Sequence, residues 1–439
     1  MTRAKTFVGG TYPAHNKDRT KAQPIALAPV PEVLIYPLCQ HIGAPCEPLV
    51  AVGDRVLRGQ KIADSTAKIC APIHSSVSGK VIAIEPRPHP NGQSTMAIVV
   101  ENDGLDETVA PFVEPKGLDE LSPAEIVEIV REAGIVGLGG AAFPTHFKLV
   151  PPPHAKIEMV ILNGAECEPY LTCDHRTMVE KPELVVQGLR ILMKALGVNQ
   201  GYIGVEVNKP DAIAALSSAC AAYSGIQVVP LQVKYPQGSE AQLIKAVTGR
   251  ELPAKKLPAD VGVIVNNVGT AAAVAEAVQT GLPLMERVVT ISGSMVERPQ
   301  NLLVRIGTTF GDLLTECGLK GQPGKIINGG PMMGMTVGTI DVPVTKGVTG
   351  ILALSEAESC QLEVGPCIRC GRCVDVCPMF LLPVFLGQFA ERGMLDKAEE
   401  YHILDCQECG CCSYVCPARR PLVQNIRLAK SGVLAKRHQ

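Results

Sequence analysis

Short apolar runs broken by glycine and proline dominate the first quarter of the chain. Residues 31–100 alternate Val and Ile with polar and turn residues, as in "PLVAVGDRVLRGQKIADS" and "ICAPIHSSVSGKVIAIE". A period of two with frequent turn residues is typical of short β-strands. The pattern predicts an all-β sandwich, and residues 1–110 are assigned to an N-terminal arm followed by this unit.

The apolar pattern of residues 120–285 switches repeatedly between the periods of helices and strands. Ser122 and Glu125 form a predicted capping box, and Gly134 follows the helix that they open. The strand-like runs "IEMVIL", "GYIGVEV", "IQVVPLQV" and "VGVIVNNVG" then alternate with helical segments. This alternation predicts an α/β layer with a largely parallel sheet.

The last third of the chain divides into two further predicted units. Residues 286–350 mix strand and helix patterns and predict a smaller α+β unit. Residues 355–439 carry the helical stretch "PVFLGQFAERGMLDKAEEYHIL" between two cysteine-rich segments. The fold class is therefore a multidomain α/β protein that begins with a β unit and ends with a helical one.

Charge and hydropathy exclude two classes of protein. The formal net charge of the 439 residues is −2, which gives no electrostatic reason to expect nucleic acid. The first segment has no apolar core of a secretory signal. The most apolar helical run, "LVVQGLRILMKALGV", is interrupted by Gln187, Arg190 and Lys194. We expect no transmembrane segment in this chain, and membrane association only through a partner.

Two cysteine runs carry the strongest chemical signal. The spacing C-x₂-C-x₂-C-x₃-C-P occurs twice, in "CIRCGRCVDVCP" and in "CQECGCCSYVCP". In this spacing three thiolates bind one iron–sulfur cube and the fourth binds the other cube. Zinc, the alternative metal, more often takes cysteine pairs mixed with histidine. The first [4Fe–4S] cluster is assigned to Cys367, Cys370, Cys373 and Cys416, and the second to Cys377, Cys406, Cys409 and Cys412.

The remaining cysteines and the first β unit suggest structural roles. Cys411 is out of register in the second run and is left as a spare. The β unit is similar to the biotinyl/lipoyl sandwich, but Lys68 lies too close to Ala71-Pro72 to sit on a hairpin tip, which favours a sandwich without a prosthetic group. We expect the scattered cysteines to act as small buried apolar residues: Cys39, Cys46, Cys70, Cys220, Cys317 and Cys360.

Three polar loops in the α/β region suggest a ligand site. "GIVGLGGAAFPTHFK" offers side-chain-free backbone and a lysine, which suits a phosphate, although a set of tight turns would give the same pattern. "NGAECEPYLTCDHR" and "NNVGT" each follow a predicted strand. Open α/β sheets bind ligands at the carboxyl ends of their strands, although solvated loop acids are the alternative.

These loops together resemble the FMN- and NADH-binding subunit of respiratory complex I, through "GLGGAAFPTHFK", "NGAECEP", "YPQGSE" and "NNVGT". The resemblance implies non-covalent FMN bound by Gly137, Gly139, Gly140, Lys148, Asn163, Asn266, Asn267 and Thr270. It implies an NAD(H) side lined by Phe143, Glu166, Glu168, Tyr235, Gly238 and Glu240. The chain departs from that family's pattern of charges at Leu138, Ala165, Ser239 and Gly269.

Over its whole length the chain resembles the RnfC family, the peripheral subunit of Rnf ion-translocating ferredoxin:NAD⁺ oxidoreductases. The resemblance rests on "TFVGGTYPAHNKDRT", "QHIGAP", "APIHSSVSGKV", "INGGPMMG" and the paired cysteine runs. It implies a barrel-sandwich hybrid domain, a complex-I-like flavin domain, a β-grasp (SLBB) domain and a helical double-cluster ferredoxin domain. It also implies membrane-embedded and ferredoxin-like partner subunits, and a peripheral place on the cytoplasmic face of the cell membrane.

The expected activity is electron exchange between NAD(H), FMN and two [4Fe–4S] clusters, coupled through the partner subunits to transport of Na⁺ or H⁺. FMN suits this role because it joins two-electron hydride chemistry to one-electron carriers. One alternative is a soluble relative, such as a cobalamin reductase or the electron-transfer protein of an amino-acid reductase. The N-terminal position of the sandwich favours RnfC over the cobalamin reductase. A scaffold that has clusters but no nucleotide is the other alternative.

Overall fold

An N-terminal arm precedes the first sheet in the computed structural model, which describes residues 3–359 and 363–437. Backbone bridges at Lys5 and Thr11 hold this arm along the α/β unit. Strand β1 (Ile25–Leu27) then pairs in parallel with a strand of the third unit. The arm therefore ties together units that lie far apart in the sequence.

The first folded unit is a sandwich of two small antiparallel sheets. Its strands are β2 (Val33–Pro37), β3 (Glu47–Pro48), β4 (Arg55–Val56), β5 (Lys61–Asp64), β6 (Ile73–His74), β7 (Gly79–Pro88) and β8 (Ser94–Asn102). One sheet has the order β2-β8-β7-β4 and the other the order β3-β5-β6. Alternate residues of β8 point to opposite faces, so Ile98 and Val100 enter the sandwich core while Ala97 and Val99 pack with Ile35.

The second unit is an α/β layer with a fully parallel sheet of order β11-β10-β9-β12, as the sequence predicts. Its elements are α1 (Pro123–Glu132), α2 (Thr145–Lys148), β9 (Met159–Gly164), α3 (Cys173–Glu180), α4 (Pro182–Leu196), β10 (Gly201–Glu206), α5 (Pro210–Cys220), β11 (Ile226–Leu231), α6 (Glu240–Thr248), β12 (Val263–Asn267) and α7 (Val268–Thr280). Helix α1 begins with the predicted capping box of Ser122 and Glu125. Short 3₁₀ turns span Leu118–Glu120 and Pro258–Val261.

The contact between α4 and α7 requires a glycine. A Cβ atom on Gly188 would lie 1.8 Å from the carbonyl oxygen of Ala271. The two helix backbones therefore approach more closely than any side chain at this position would allow. This contact places the first turn of α7, which follows the end of β12, against the rest of the unit.

The third unit is a mixed sheet with one helix. Its elements are β13 (Glu286–Ser292), β14 (Gln300–Arg305), α8 (Phe310–Glu316), β15 (Lys325–Asn328), β16 (Met335–Val337) and β17 (Gly350–Leu354). The strand order is β1-β14-β13-β17-β15-β16, so the arm supplies one edge. Helix α8 begins with a capping box formed by Thr309 and Asp312 and buries Phe310 in the core of the unit.

The fourth unit is helical, as predicted. Helix α9 (Glu356–Ser359) precedes it, and it contains α10 (Arg372–Asp375), α11 (Pro383–Glu391), α12 (Leu395–Glu400), a 3₁₀ turn (Ile403–Asp405), α13 (Cys411–Tyr414) and α14 (Leu422–Arg437). Helix α14 packs on α11 and α12 around Leu386, Ile403 and Ile426. No helix within residues 3–359 and 363–437 is both long enough and apolar enough to cross a membrane.

Candidate functional site

The glycine-rich loop after α1 folds back on itself as a tight hairpin. The backbone N–H of Gly137 donates to the Phe143 carbonyl at 2.9 Å, and that of Ala142 donates to the Gly137 carbonyl at 3.1 Å. At the tip, Gly140 has a φ of +113° and no heavy atom within 4 Å of a Cβ built on it. The loop therefore presents bare backbone to open space, as close approach by a phosphate or a ring requires.

Helix α7 begins beneath this loop. The Leu138 N–H donates to the Thr270 hydroxyl at 2.8 Å, and Gly139 lies against the Asn267 side chain. Asn267 caps α7, because its Oδ1 accepts the N–H groups of Gly269 and Thr270 at 2.8 and 3.3 Å. The glycine loop is therefore positioned by the helix that follows β12.

Two adjacent strand ends supply further polar groups. Asn163 at the end of β9 lies beside Asn267 in the parallel register, and its Nδ2 donates to the Gly238 carbonyl at 2.7 Å. Asn266 is buried, and its Nδ2 has no hydrogen-bond partner among the described residues. Lys148 reaches the same sheet edge, donating to the Val265 carbonyl at 2.9 Å. A buried amide donor without a partner beside a bare glycine loop fits a ligand with many acceptor atoms, such as FMN.

Three residues expected on the nicotinamide side make contacts within the protein instead. Glu166 accepts the N–H groups of Asp174 and His175 at 2.7 and 3.2 Å, and so caps α3. The Tyr235 side chain is buried, and its hydroxyl donates to the Cys409 carbonyl at 2.8 Å. The resemblance could not show these partners, because they come from other parts of the chain.

Glu168 is the third of these residues and reaches into the third unit. Its carboxylate accepts the N–H groups of Met332 and Met333 at 3.2 and 2.8 Å. Burial raises the pKa of this carboxyl to about 7. Glu168 therefore joins the flavin-type loop to the third unit.

The other residues of the predicted nicotinamide side are more accessible. Phe143 is half-buried and forms an edge-to-face pair with Phe147, with ring centroids 5.7 Å apart. Gly238 is half-buried beside Asn163, and the Glu240 side chain is 41% exposed and pairs with Lys148 at 3.3 Å. These three residues lie close to the strand-end loops and leave polar surface for a ligand.

Asp174 is a site residue that sequence reasoning missed. Its Oδ2 accepts from Asn267 Nδ2 at 2.6 Å, directly beneath the glycine loop. Burial raises the pKa of Asp174 to about 7, and the neighbouring Glu166 acts in the same direction. The only sequence signal was its position in "NGAECEPYLTCDHR", where the acids before it attracted the assignment.

The first set of four cysteines encloses one cavity of the helical unit. The cavity has a volume of about 370 Å³, and Phe385 and Leu422 also line it. Cys367 and Cys370 are exposed, whereas Cys373 and Cys416 are half-buried. The cavity cysteines are the four that the spacing assigns to the first cluster, Cys367, Cys370, Cys373 and Cys416.

The second set lines a separate and more deeply buried cavity. Its cysteines are Cys377, Cys406, Cys409 and Cys412, together with the spare Cys411. Burial raises the pKa values of the Cys406 and Cys412 thiols to about 11 and about 12. Thiolates at such a place need a cationic partner, which the iron atoms of a cluster supply. Cys411 instead directs its Sγ toward the Tyr235 carbonyl, 3.8 Å away.

The second cysteine cavity lies against the α/β unit. Besides the Tyr235–Cys409 bond, Gln242 Nε2 donates to the Pro378 carbonyl at 3.1 Å, and Ser239 donates to Gln407. The arm completes this contact, because the Gly10 N–H donates to the Val376 carbonyl at 2.8 Å. The loop that follows β11 therefore contacts both Asn163 and the second cysteine set.

The scattered cysteines are mostly buried, as expected. Cys46, Cys70, Cys220 and Cys317 are buried and Cys39 is half-buried, while Cys360 lies outside the described residues. Sequence reasoning left out Cys167, whose Sγ accepts the Gly238 N–H at 3.3 Å.

Four family models cover most of the chain. The "RnfC Barrel sandwich hybrid domain" matches residues 5–105 and the "Nuo51 FMN-binding domain" matches residues 130–276. The "SLBB domain" matches residues 288–336 and the "4Fe-4S dicluster domain" matches residues 366–419. These matches confirm the predicted fold class and the predicted FMN and [4Fe–4S] cofactors.

A solved structure shares the fold. A chain of the NAD⁺-reducing [NiFe]-hydrogenase in the H₂-reduced state superimposes with a TM-score of 0.51 at 19% identity. The match covers 72% of this chain and 63% of the hydrogenase chain. At this identity the likeness concerns the fold alone.

Two curated relatives match along nearly the whole chain. One is the RnfC-type component of the "Na(+)-translocating ferredoxin:NAD(+) oxidoreductase complex" of Acetobacterium woodii, which is 49% identical, covering 99% of this chain and 98% of the relative. The other is its counterpart in the "Proton-translocating ferredoxin:NAD(+) oxidoreductase complex" of Clostridium ljungdahlii, which is 50% identical, covering 97% and 94%. With this identity over nearly its full length, the chain belongs to the RnfC family, whose members are subunits of ion-translocating ferredoxin:NAD⁺ oxidoreductase complexes.

Proposed function

We propose that this chain is the electron-transfer subunit of an ion-translocating ferredoxin:NAD⁺ oxidoreductase complex. Its relatives of 49% and 50% identity are named as parts of Na⁺- and proton-translocating complexes respectively, so both coupling ions occur at similar distance. Its cofactors are FMN, two [4Fe–4S] clusters and NAD(H). The observation that carries the proposal is the contact between the second cysteine set and the flavin-type loops.

FMN binds, in this proposal, at the edge formed by the glycine loop and the ends of β9 and β12. When bound, the flavin supplies the conversion between two-electron hydride transfer and one-electron transfer. The glycine loop gives close access, Asn266 offers its unpartnered amide, and Lys148 supplies positive charge. The remaining contacts would come from the residues that the resemblance assigns, Gly137, Gly139, Gly140, Asn163, Asn267 and Thr270.

The nicotinamide side is proposed to use Phe143, Gly238 and Glu240 directly. Glu166, Glu168 and Tyr235 then act as positioning residues. Glu166 caps α3, and Glu168 holds the turn that contains Met332 and Met333. Tyr235 holds the cysteine loop at Cys409. Changes at these three positions should disturb the spacing of the loops rather than remove a ligand contact.

The two cysteine sets differ in what surrounds them. The set around Cys377 lies against the α/β unit, whereas Cys367 and Cys370 are exposed. Apolar side chains beside the exposed set also face solvent, with Ile368 66% and Phe380 73% exposed. We expect this surface to face the partner subunits. The chain would lie on the cytoplasmic face of the membrane, where NAD(H) and ferredoxin are available.

Anaerobic purification with quantification of iron, sulfide and FMN per chain tests the proposal. Two [4Fe–4S] clusters and one FMN are expected, and added NADH should bleach the flavin absorbance. Co-purification with membrane-embedded subunits tests the assembly and distinguishes a soluble reductase. A colourless protein under rigorous exclusion of air, or a flavin that NADH does not reduce, would contradict the proposal.

A further inference from the structure

A histidine and two cysteines converge inside the barrel-sandwich unit, far along the chain from the iron–sulfur cysteines. The Sγ atoms of Cys46 and Cys70 lie 3.6 Å apart, and Cys46 Sγ lies 3.7 Å from His41 Nε2. One ligand atom from each of the three residues falls within 4.8 Å of the other two. All three side chains are buried.

These distances match those between ligands of one tetrahedral zinc ion. Two sulfurs bound at about 2.3 Å lie about 3.8 Å apart in a tetrahedral site, and a sulfur and an imidazole nitrogen lie about 3.6 Å apart. A Cys₂His donor set is also the chemistry that zinc prefers. The structure thus places three zinc-type donors at the separations that a shared ion would impose.

The histidine already presents the required tautomer. His41 Nδ1 lies 3.3 Å from the Ile42 carbonyl, which can only accept, so this nitrogen carries the proton. The Ala71 N–H donates to His41 Nε2 at 3.1 Å, so the lone pair of Nε2 points into the cluster. Metal-bound histidines commonly donate their second ring N–H to a carbonyl in this way.

Asp64 completes one side of the cluster. Its Oδ1 lies 3.9 Å from Cys70 Sγ, while its Oδ2 pairs with Lys61 at 3.2 Å and with Arg131 at 3.6 Å. One carboxylate oxygen is therefore directed toward the thiols, and the two basic side chains bind the other. Oδ1 is well placed to approach a fourth coordination position through a small rotation of the side chain.

The cluster joins two loops next to the glycine-rich loop. His41 and Cys46 precede β3, and Cys70 precedes β6. The Ala44 N–H donates to the Ile69 carbonyl at 3.1 Å, so the two loops are already in contact. The Ile42 N–H donates to the Ala142 carbonyl in the glycine-rich loop, also at 3.1 Å. An ion in this cluster would fix the surface on which the glycine-rich loop rests.

We propose that His41, Cys46 and Cys70 bind a structural Zn²⁺ ion, with Asp64 or water as the fourth ligand. A disulfide between Cys46 and Cys70 is the competing occupant of the same space. It would leave His41 and Asp64 without a role in the cluster, so the donor set favours the metal. The proposal is independent of the electron-transfer function.

The test begins with the full chain, purified anaerobically with its clusters and without chelators. Zinc and iron are quantified by mass spectrometry, and the zinc environment is read from X-ray absorption at the zinc edge. We expect one zinc per chain, with two sulfurs at about 2.3 Å and the remaining ligands nitrogen or oxygen at about 2.0–2.2 Å. The sulfur count separates this site from zinc that has entered an iron–sulfur site, which would show mainly sulfur.

Variants then assign the ligands. Cys46→Ser and Cys70→Ser should each lose the zinc while keeping iron at the wild-type level. Cys220→Ser is the matched control, because Cys220 is a buried thiol on α5, outside this cluster, and its loss should leave the zinc in place. If a cysteine variant does not fold, the absorption spectrum of the wild-type protein still decides the question.

Two results would overturn the proposal. One is a wild-type chain that holds no zinc and takes up none when Zn²⁺ is added anaerobically. The other is a Cys46–Cys70 disulfide, seen as two thiols that resist alkylation in the denatured, unreduced chain and lower its mass by two hydrogens. Zinc with all-sulfur coordination would equally place the ion elsewhere.

Discussion

The unpartnered amide of Asn266 makes a sharp prediction about FMN binding. In the flavin-free protein its buried Nδ2 has no partner among the described residues, so Asn266→Leu removes a donor that contributes nothing to stability. In the bound protein, we expect the same amide to donate to the flavin or its phosphate. The variant should therefore weaken FMN binding without destabilising the flavin-free chain.

The magnitude follows from the value of one buried hydrogen bond. A bond to a charged acceptor contributes about 1.5–3 kcal/mol, which corresponds to a roughly tenfold to hundredfold loss of affinity. Affinity is measured by quenching of FMN fluorescence on titration into anaerobic, flavin-free protein. Thermal unfolding of the same flavin-free sample, followed by circular dichroism, gives the stability.

Asn267→Ala provides the contrast, because Asn267 caps α7 with both of its oxygen-mediated bonds. Loss of such a cap costs about 1 kcal/mol, so this variant should lower the unfolding temperature even without flavin. The reasoning is refuted if Asn266→Leu binds FMN as tightly as the wild type. It is also refuted if this variant destabilises the flavin-free chain as much as the cap variant does.

Three further predictions concern the contacts that place the loops. Burial raises the pKa of Glu168 to about 7 from an ordinary 4.5, so the folded state favours its protonated form, and the contact should weaken by at most roughly 3 kcal/mol as pH rises from 4.5 to 7. Hydrogen exchange of its two backbone donors, corrected for the intrinsic rate, should show this loss between pH 5.5 and 8, and Glu168→Gln should abolish the pH dependence. Gly188→Ala should prevent the approach of α4 to Ala271 and yield little soluble protein, whereas a normal yield of flavin-binding protein would contradict the close contact. Tyr235→Phe leaves the Cys409 carbonyl unpaired at a cost of about 1–3 kcal/mol, and faster exchange in the second cysteine loop, with unchanged exchange in the first, would report it.

Local sequence signals predicted the features that depend on neighbouring residues. The capping box of Ser122 and Glu125 and the alternation of strands and helices follow from short-range hydrogen bonding and periodicity, and both are present. The cysteine spacing also carried long-range information, because it encodes how two loops share two clusters. The grouping of Cys416 with the first cysteine run, and of Cys377 with the second, is visible in the two cavities.

Partners from distant segments could not be predicted in this way. Glu168 bonds to residues 332 and 333, and Tyr235 bonds to Cys409, so neither contact leaves a local pattern. His41, Cys46 and Cys70 are unrelated positions in the sequence until the two loops of the sandwich are brought together. In each case the tertiary fold, rather than the residue type, decides what the side chain does.

The loop that follows β11 links the two parts of the site. Gly238 accepts from Asn163 at the strand ends, while Tyr235, Ser239 and Gln242 hold the second cysteine loop. Because one short segment makes both sets of contacts, the cysteine loop cannot move away from the strand ends without breaking several hydrogen bonds together. The N-terminal arm strengthens the same contact from the other side, through Gly10. The spacing between the flavin-type edge and the second cysteine set is therefore fixed by folded backbone and not by a flexible linker, as rapid electron exchange between bound cofactors would require.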